Sequence, residues 1–234
     1  MTNTTAPDIP VLWRRLFAEI LGTGLLVAIV VGSGIMASRL SPNDVGLQLL
    51  ENGLATALGL AVLIAVLAPV SGAHFNPVVS IADLVFRRGP HSLALVGYLV
   101  AQIAGAIAGA LLANAMFGIS TVIATTDRVN VGTLIGEVVA TAGLILVIFG
   151  LDRAGRPALI APAVGAYIGA AYWFASSTSF ANPAVTIGRM FSDTFAGIAP
   201  NSALPFIGAQ LVGGAVGLAI ATLLFPRTSK RKEL

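Results

Sequence analysis

Six long apolar runs separated by short polar breaks fill most of the chain: residues 16–37, 49–68, 93–117, 134–151, 158–175 and 204–225. A hydrocarbon core of about 30 Å takes about 20 apolar residues in a helix, so each run predicts one membrane-spanning helix. Two shorter apolar pieces remain, 77–86 and 183–191. At about 1.5 Å per residue each reaches roughly 15 Å, half the core, so both read as half-helices. Asn76-Pro77-Val78 opens the first and Asn182-Pro183-Ala184 the second. Asn caps free helix amides, and Pro at the first helical position forfeits no hydrogen bond. Small and polar runs precede both, Ser71-Gly72-Ala73-His74-Phe75 and Ser176-Ser177-Thr178-Ser179-Phe180-Ala181. The free backbone groups of such loops are tolerable at membrane depth only when buried in protein or lining a water-filled cavity.

The two halves repeat. Glu19-x-x-x-Thr23 returns as Glu137-x-x-x-Thr141, and Ala101-Gln102-x-x-Gly105-x-x-x-Gly109 returns as Ala209-Gln210-x-x-Gly213-x-x-x-Gly217. With the Asn-Pro triplets between them, three markers recur in one order. Glu to Asn is 57 residues in the first half and 45 in the second, a loop-sized difference. Three spans per half is an odd number, so the copies lie in opposite orientation, and inverted repeats with broken helices place a solute site near the midplane. The predicted fold is an all-α membrane protein of six transmembrane helices and two re-entrant half-helices. A tail at 1–13, a channel domain at 14–226 (repeats 14–117 and 131–226) and a basic tail at 227–234 complete the organisation.

Composition agrees and narrows the function. The chain is 56% hydrophobic and 10% charged, with mean hydropathy +0.92, outside the range of soluble domains. Its polar first ten residues lack the basic start and cleavage site of a signal peptide, so the first run is expected to stay as a span. Absence of cysteine excludes disulfides and thiolate metal sites. No metal-ligand cluster, phosphate-binding glycine loop or nucleophile–base pair can be drawn. Neither enzymatic chemistry, a cofactor, a metal nor nucleic-acid binding is therefore implied. Ten cations (Arg14, Arg15, Arg87, Arg88, Arg153, Arg156, Arg227, Lys230, Arg231, Lys232) fall on one side of the six-span topology, against Arg39 and Arg128 opposite. By the excess of cations both termini are cytoplasmic, the basic tail is a topology anchor, and Arg189 enters from outside on the second half-helix.

Ser-Gly-Ala-His-Phe-Asn-Pro-Val at 71–78, Phe-Ala-Asn-Pro-Ala at 180–184 and the duplicated Ala-Gln-x-x-Gly-x-x-x-Gly closely resemble the major intrinsic proteins, the aquaporins and aquaglyceroporins. The resemblance spans residues 14–225. It implies the hourglass fold, a homotetramer in the plasma (inner) membrane with one pore per subunit, and passive conduction of water or small neutral solutes. Asn76 and Asn182 then face the lumen, and Glu19 and Glu137 brace the loops that carry them rather than relaying protons. His74 braces the first loop beside the cytoplasmic vestibule. The four repeated glycines fit close helix contacts. Two helix starts meeting at the midplane, each worth roughly half a positive charge, oppose cation passage.

Family members keep an arginine directly after the second Asn-Pro-Ala; this chain has Val185. Ungapped spacing from the triplets puts the other three constriction positions at Thr56, Ala170 and Ser179, without the aromatic or His side chains of relatives. The expected opening is wide. The Asn-Pro-Ala-Val run and residues 190–197 most resemble the aquaglyceroporins found with bacterial arsenic-resistance genes. That resemblance implies glycerol-like polyols, arsenite and methylated arsenicals as cargo, with some water. Arg189 lies four residues after Val185, on nearly the same helix face. It either approaches the pore mouth in place of the missing arginine, or neutralises the helix dipole, or pairs with Asp193; the last two are favoured. A water-selective channel and a proton- or ion-coupled secondary transporter are the competing functions, and the latter lacks an evident coupling site.

Overall fold

The computed structural model describes residues 10–87 and 92–226. Arg88, Arg227, Lys230, Arg231, Lys232, the basic tail 227–234 and residues 1–9 of the N-terminal tail lie outside the described residues. Among the described residues the architecture is entirely helical. The elements are α1 (Leu12–Leu40), α2 (Val45–Ser71), α3 (Pro77–Arg87), α4 (Ser92–Met116), α5 (Val131–Arg153), a 3₁₀ turn (Pro157–Leu159), α6 (Ile160–Phe174), α7 (Pro183–Arg189) and α8 (Pro200–Leu224). Six are long and apolar enough to cross a membrane.

Four of the six spanning helices, α1, α2, α5 and α8, outrun their apolar runs, and polar side chains cap the starts of α2 and α5; α6 falls short of its run. Asp44 starts α2 by accepting from the Leu47 amide at 2.9 Å. Asn130 and Thr133 form a reciprocal capping box at the head of α5. Pro200 occupies the first turn of α8, where Ser202 ties it to the connector 117–130 through the Arg128 amide at 3.0 Å. α7 is shorter than the apolar run, ending at Arg189 rather than residue 191, and α3 gains Arg87.

Each half packs on itself through glycine. A Cβ on Gly109 would lie 2.1 Å from the Gly24 carbonyl oxygen, and one on Gly105 would lie 2.3 Å from that of Ile20. Gly217 and Gly213 meet the carbonyls of Ala142 and Val138 at 2.4 and 2.5 Å in the same sense. Thus α1 touches α4, and α5 touches α8, backbone to backbone. Between the halves, α7 packs on α4 and α3 on α8, while α2 lies against α6. A Cβ on Gly188 of α7 would fall 2.6 Å from the Ala106 carbonyl of α4, so the half-helix is seated as tightly as the spans. This crossed packing brings the starts of α3 and α7 together in the middle of the molecule.

Candidate functional site

The two loops that precede the half-helices share one backbone. Counting back from Asn76, residues four, three and one before it have positive φ: Gly72 at 89°, Ala73 at 50° and Phe75 at 49°. Counting back from Asn182, the same offsets give Thr178 at 62°, Ser179 at 54° and Ala181 at 47°. Five of these six are not glycine, and a left-handed L-residue costs on the order of 1–3 kcal/mol. Such a conformation persists only where surrounding bonds over-determine it.

The carboxylates supply those bonds. Glu19 accepts from the His74 amide (3.0 Å), the Phe75 amide (2.7 Å), the Ser71 hydroxyl (2.6 Å) and the Gln102 side-chain amide (2.8 Å). Glu137 accepts from the Phe180 amide (2.9 Å), the Ala181 amide (2.8 Å) and Gln210 (2.6 Å), with the Ser177 hydroxyl also bonded to it. Gln102 reaches Ser80 on α3 at 2.9 Å, and Gln210 reaches Thr186 on α7 at 2.9 Å. Both glutamates are fully buried. A buried charge is tolerable when its lone pairs are this fully occupied. His74 joins the first loop to α3 through its Nδ1, 3.0 Å from Ser80 Oγ, and its Nε2 lies 4.0 Å from Asp83.

The asparagines close the loops on each other. Asn76 Oδ1 accepts from the Val78 amide at 2.9 Å, and its amide donates to the Ala181 carbonyl at 2.8 Å. Asn182 Oδ1 accepts from the Ala184 and Val185 amides at 3.0 and 3.2 Å, and its amide donates to the Phe75 carbonyl at 2.7 Å. Each side chain therefore caps its own helix and spends one N–H on the opposite loop. Among the described residues the second N–H of each has no acceptor. A cavity of about 650 Å³ passes them, lined from Pro10 and Arg15 at one end to Thr56, Tyr172, Val185 and Arg189 at the other.

A profile of the family described as major intrinsic protein matches residues 8–181. Aquaglyceroporin AqpS of Rhizobium meliloti is 46% identical over 210 residues, covering 89% of each chain. The chain belongs to the major intrinsic protein family. The glycerol uptake facilitator protein of Streptococcus pneumoniae is 30% identical over 237 residues, 91% of this chain and 98% of that one. The X-ray structure of the aquaglyceroporin from Plasmodium falciparum has the same fold, with a TM-score of 0.69 at 23% identity over 93% of this chain and 97% of that one. This major intrinsic protein is accordingly a multi-pass membrane channel for small neutral solutes, and not an enzyme.

At the constriction the structure corrects one position. Thr56, Ser179 and Val185 line the cavity, but Ala170 does not: it is exposed on the outer face of α6. Val164, Ile168 and Tyr172, spaced by four, form the lumen-facing stripe instead. Tyr172 brings an aromatic ring that the ungapped spacing had excluded, and its hydroxyl lies 3.2 Å from Thr56 Oγ1. Ala170 and Tyr172 stand two residues apart, about 200° around the helix, so the phase of α6 turns Ala170 away from the lumen. The spacing by four of Val164, Ile168 and Tyr172 is a signal that could have found it, and ungapped counting from the triplets did not use it.

Arg189 stands in the last turn of α7, as neutralising the helix dipole requires, but the other favoured expectation fails. Asp193 is not its partner; that carboxylate accepts from the Thr125 amide (2.9 Å) and hydroxyl (3.1 Å). The Arg189 guanidinium instead stacks over the Phe180 ring, 3.4 Å from its centroid, and donates from Nε to the Ala196 carbonyl. Arg128, whose charge is opposed by burial that pulls its pKa below the usual range, holds the same segment through the Gly197 and Phe195 carbonyls at 2.7 and 2.8 Å.

Proposed function

We propose that this protein is an aquaglyceroporin of the wide-filter type, passing glycerol-like polyols and neutral metalloid hydroxides such as arsenous acid and methylated arsenicals, with some water. One observation carries the reading: Val185 lines the lumen directly after the second Asn-Pro-Ala, where family members keep arginine. An arginine there has five donors and a fixed charge; a valine has neither and occupies less volume. The names of the two bacterial relatives, an aquaglyceroporin and a glycerol uptake facilitator, support the same solute class. Arsenous acid is neutral near pH 7 and carries hydroxyls on a compact centre, so it presents much the same surface as a polyol.

Thr56, Ser179 and Val185 are the filter in this reading, with Tyr172 in the place first expected of Ala170. Asn76 and Asn182 orient the passing oxygen, and Glu19, Glu137 and His74 hold the loops. Both termini are cytoplasmic by the excess of arginines such as Arg14, Arg15, Arg153 and Arg156 on that side, and the protein works in the inner membrane. A homotetramer belongs to the same reading, in which exposed apolar stripes such as Leu54, Leu58, Val62 and Val66 along α2 are covered by lipid or by a neighbouring subunit. Uptake by a channel-deficient cell tests the solute class. Wild type is expected to admit glycerol, arsenite and methylarsenicals, and Val185→Arg to suppress the larger solutes first while water changes least. Exclusion of both glycerol and arsenicals by wild type would remove the assignment.

A further inference from the structure

The exchange of arginine for Val185 leaves the constriction without a cation in its usual place, yet a cation stands one helical turn away. Arg189 is 3% exposed and lines the same cavity as Val185 and Ser179. Its Nε is used by the Ala196 carbonyl and its face by Phe180, but among the described residues no group accepts from its Nη1. The Ser179 hydroxyl, also buried, likewise has no protein partner. Buried donors are ordinarily satisfied, and one left without an acceptor is destabilising. Two such groups beside one lumen mark a place built for an oxygen that the protein does not supply. Among the described residues no carboxylate lies within ion-pair distance of Arg189.

We propose that Arg189 is the specificity cation of this channel, and that its Nη1 and the Ser179 hydroxyl together bind the oxygen of a hydroxyl-bearing solute while the guanidinium excludes cations. The proposal rests on the aquaglyceroporin reading and adds the residue that sets its selectivity. The guanidinium's position follows from Phe180 beneath it and from the Ala196 carbonyl. Arg128 acts as a positioning residue, because it clamps the carbonyls on either side of Ala196. Set back one turn, the charge leaves room at Val185 for a bulky solute. A desolvated cation nevertheless meets it at low dielectric, where repulsion is much stronger than in water.

The test uses the full chain in proteoliposomes, reading the glycerol-to-water permeability ratio and the leak of a monovalent cation. Arg189→Leu is expected to raise the cation leak and lower the ratio, each by about tenfold, the scale of one lost charge-assisted bond. Arg189→Lys should restore cation exclusion but not the ratio, since an ammonium keeps the charge without the planar stack. Ser179→Ala should lower the ratio and leave the leak alone. An assembled Arg189→Leu channel with both readouts unchanged overturns the proposal. Should that variant fail to assemble, unchanged ratios in both Arg189→Lys and Ser179→Ala overturn it equally. Wild type without glycerol flux above lipid background would remove the channel reading beneath it, a different and separately visible result.

Discussion

Replacing Glu137 by Gln perturbs the second loop without changing its volume. The carboxylate faces donors only: the Phe180 and Ala181 amides, the Gln210 side chain and the Ser177 hydroxyl. A Gln keeps one acceptor oxygen and turns the other into an NH₂ group. Whichever way it lies, that group points at a backbone N–H. A charge-assisted bond worth about 1.5–3 kcal/mol is lost, and a buried N–H is left unpaired at a further cost of about 1–3 kcal/mol. The expected destabilisation is therefore about 3–5 kcal/mol, a large share of an ordinary folding free energy. Thermal denaturation of the purified protein in detergent, with wild type alongside, measures it, and solute flux in proteoliposomes reports the loop. Because Glu19 meets the same kinds of donor at the same offsets, Glu19→Gln should cost a similar amount. A Glu137→Gln protein with wild-type stability and wild-type flux would refute the claim that the carboxylates hold the left-handed loops.

Gly109→Leu and Gly217→Leu should each prevent assembly or cost at least about 3 kcal/mol, because the new side chain meets backbone that cannot yield; size-exclusion profiles and denaturation midpoints check this. Tyr172→Phe removes only the hydroxyl bonded to Thr56, so it should widen the lumen's reach to larger polyols while the fold loses about 1 kcal/mol or less; relative flux of glycerol and a longer polyol reads it. The Ser202 hydroxyl and then the Val129 amide hold the Asp127 carboxyl below the usual carboxylate range. A depressed folded value stabilises above the unfolded pKa and is lost as pH falls through the folded one. The Asp127–Ser202 contact should thus persist into mild acid and be lost only below the ordinary range, and Ser202→Ala should move the Asp127 titration upward; NMR titration of that carboxyl reads it.

Spans, half-helices and the duplication were legible because each rests on local rules. Apolar length marks a span, Asn-Pro marks a helix start, and glycine spacing marks a close contact. Glu19 and Glu137 could be paired by the repeat alone. That they brace the triplet loops came only with the family resemblance, and which amides they meet did not come at all, since those donors lie more than forty residues away. The matched positive φ values were equally hidden, because Ala73, Phe75, Thr178, Ser179 and Ala181 have no side-chain signature of that conformation. Ala170 was misplaced because counting back from the triplet ignores the phase of α6, whose lumen-facing stripe runs through Val164, Ile168 and Tyr172. Arg189 lay on the right face, but its choice of Phe180 and Ala196 over Asp193 depends on how the connector folds back over α7. Asp193 is held by Thr125 of that connector, a contact that no spacing rule contains.

The central claim is that one lumen, braced by two carboxylates and closed across its middle by Asn76 and Asn182, passes neutral solutes down their gradient and refuses charge. Stopped-flow light scattering of proteoliposomes, run with glycerol and repeated with the transmembrane pH gradient collapsed, tests it most directly. The account predicts glycerol flux well above lipid background, linear in concentration and indifferent to the pH gradient. Flux that saturates and stops when the gradient is removed, or flux no greater than that of empty liposomes, would contradict it.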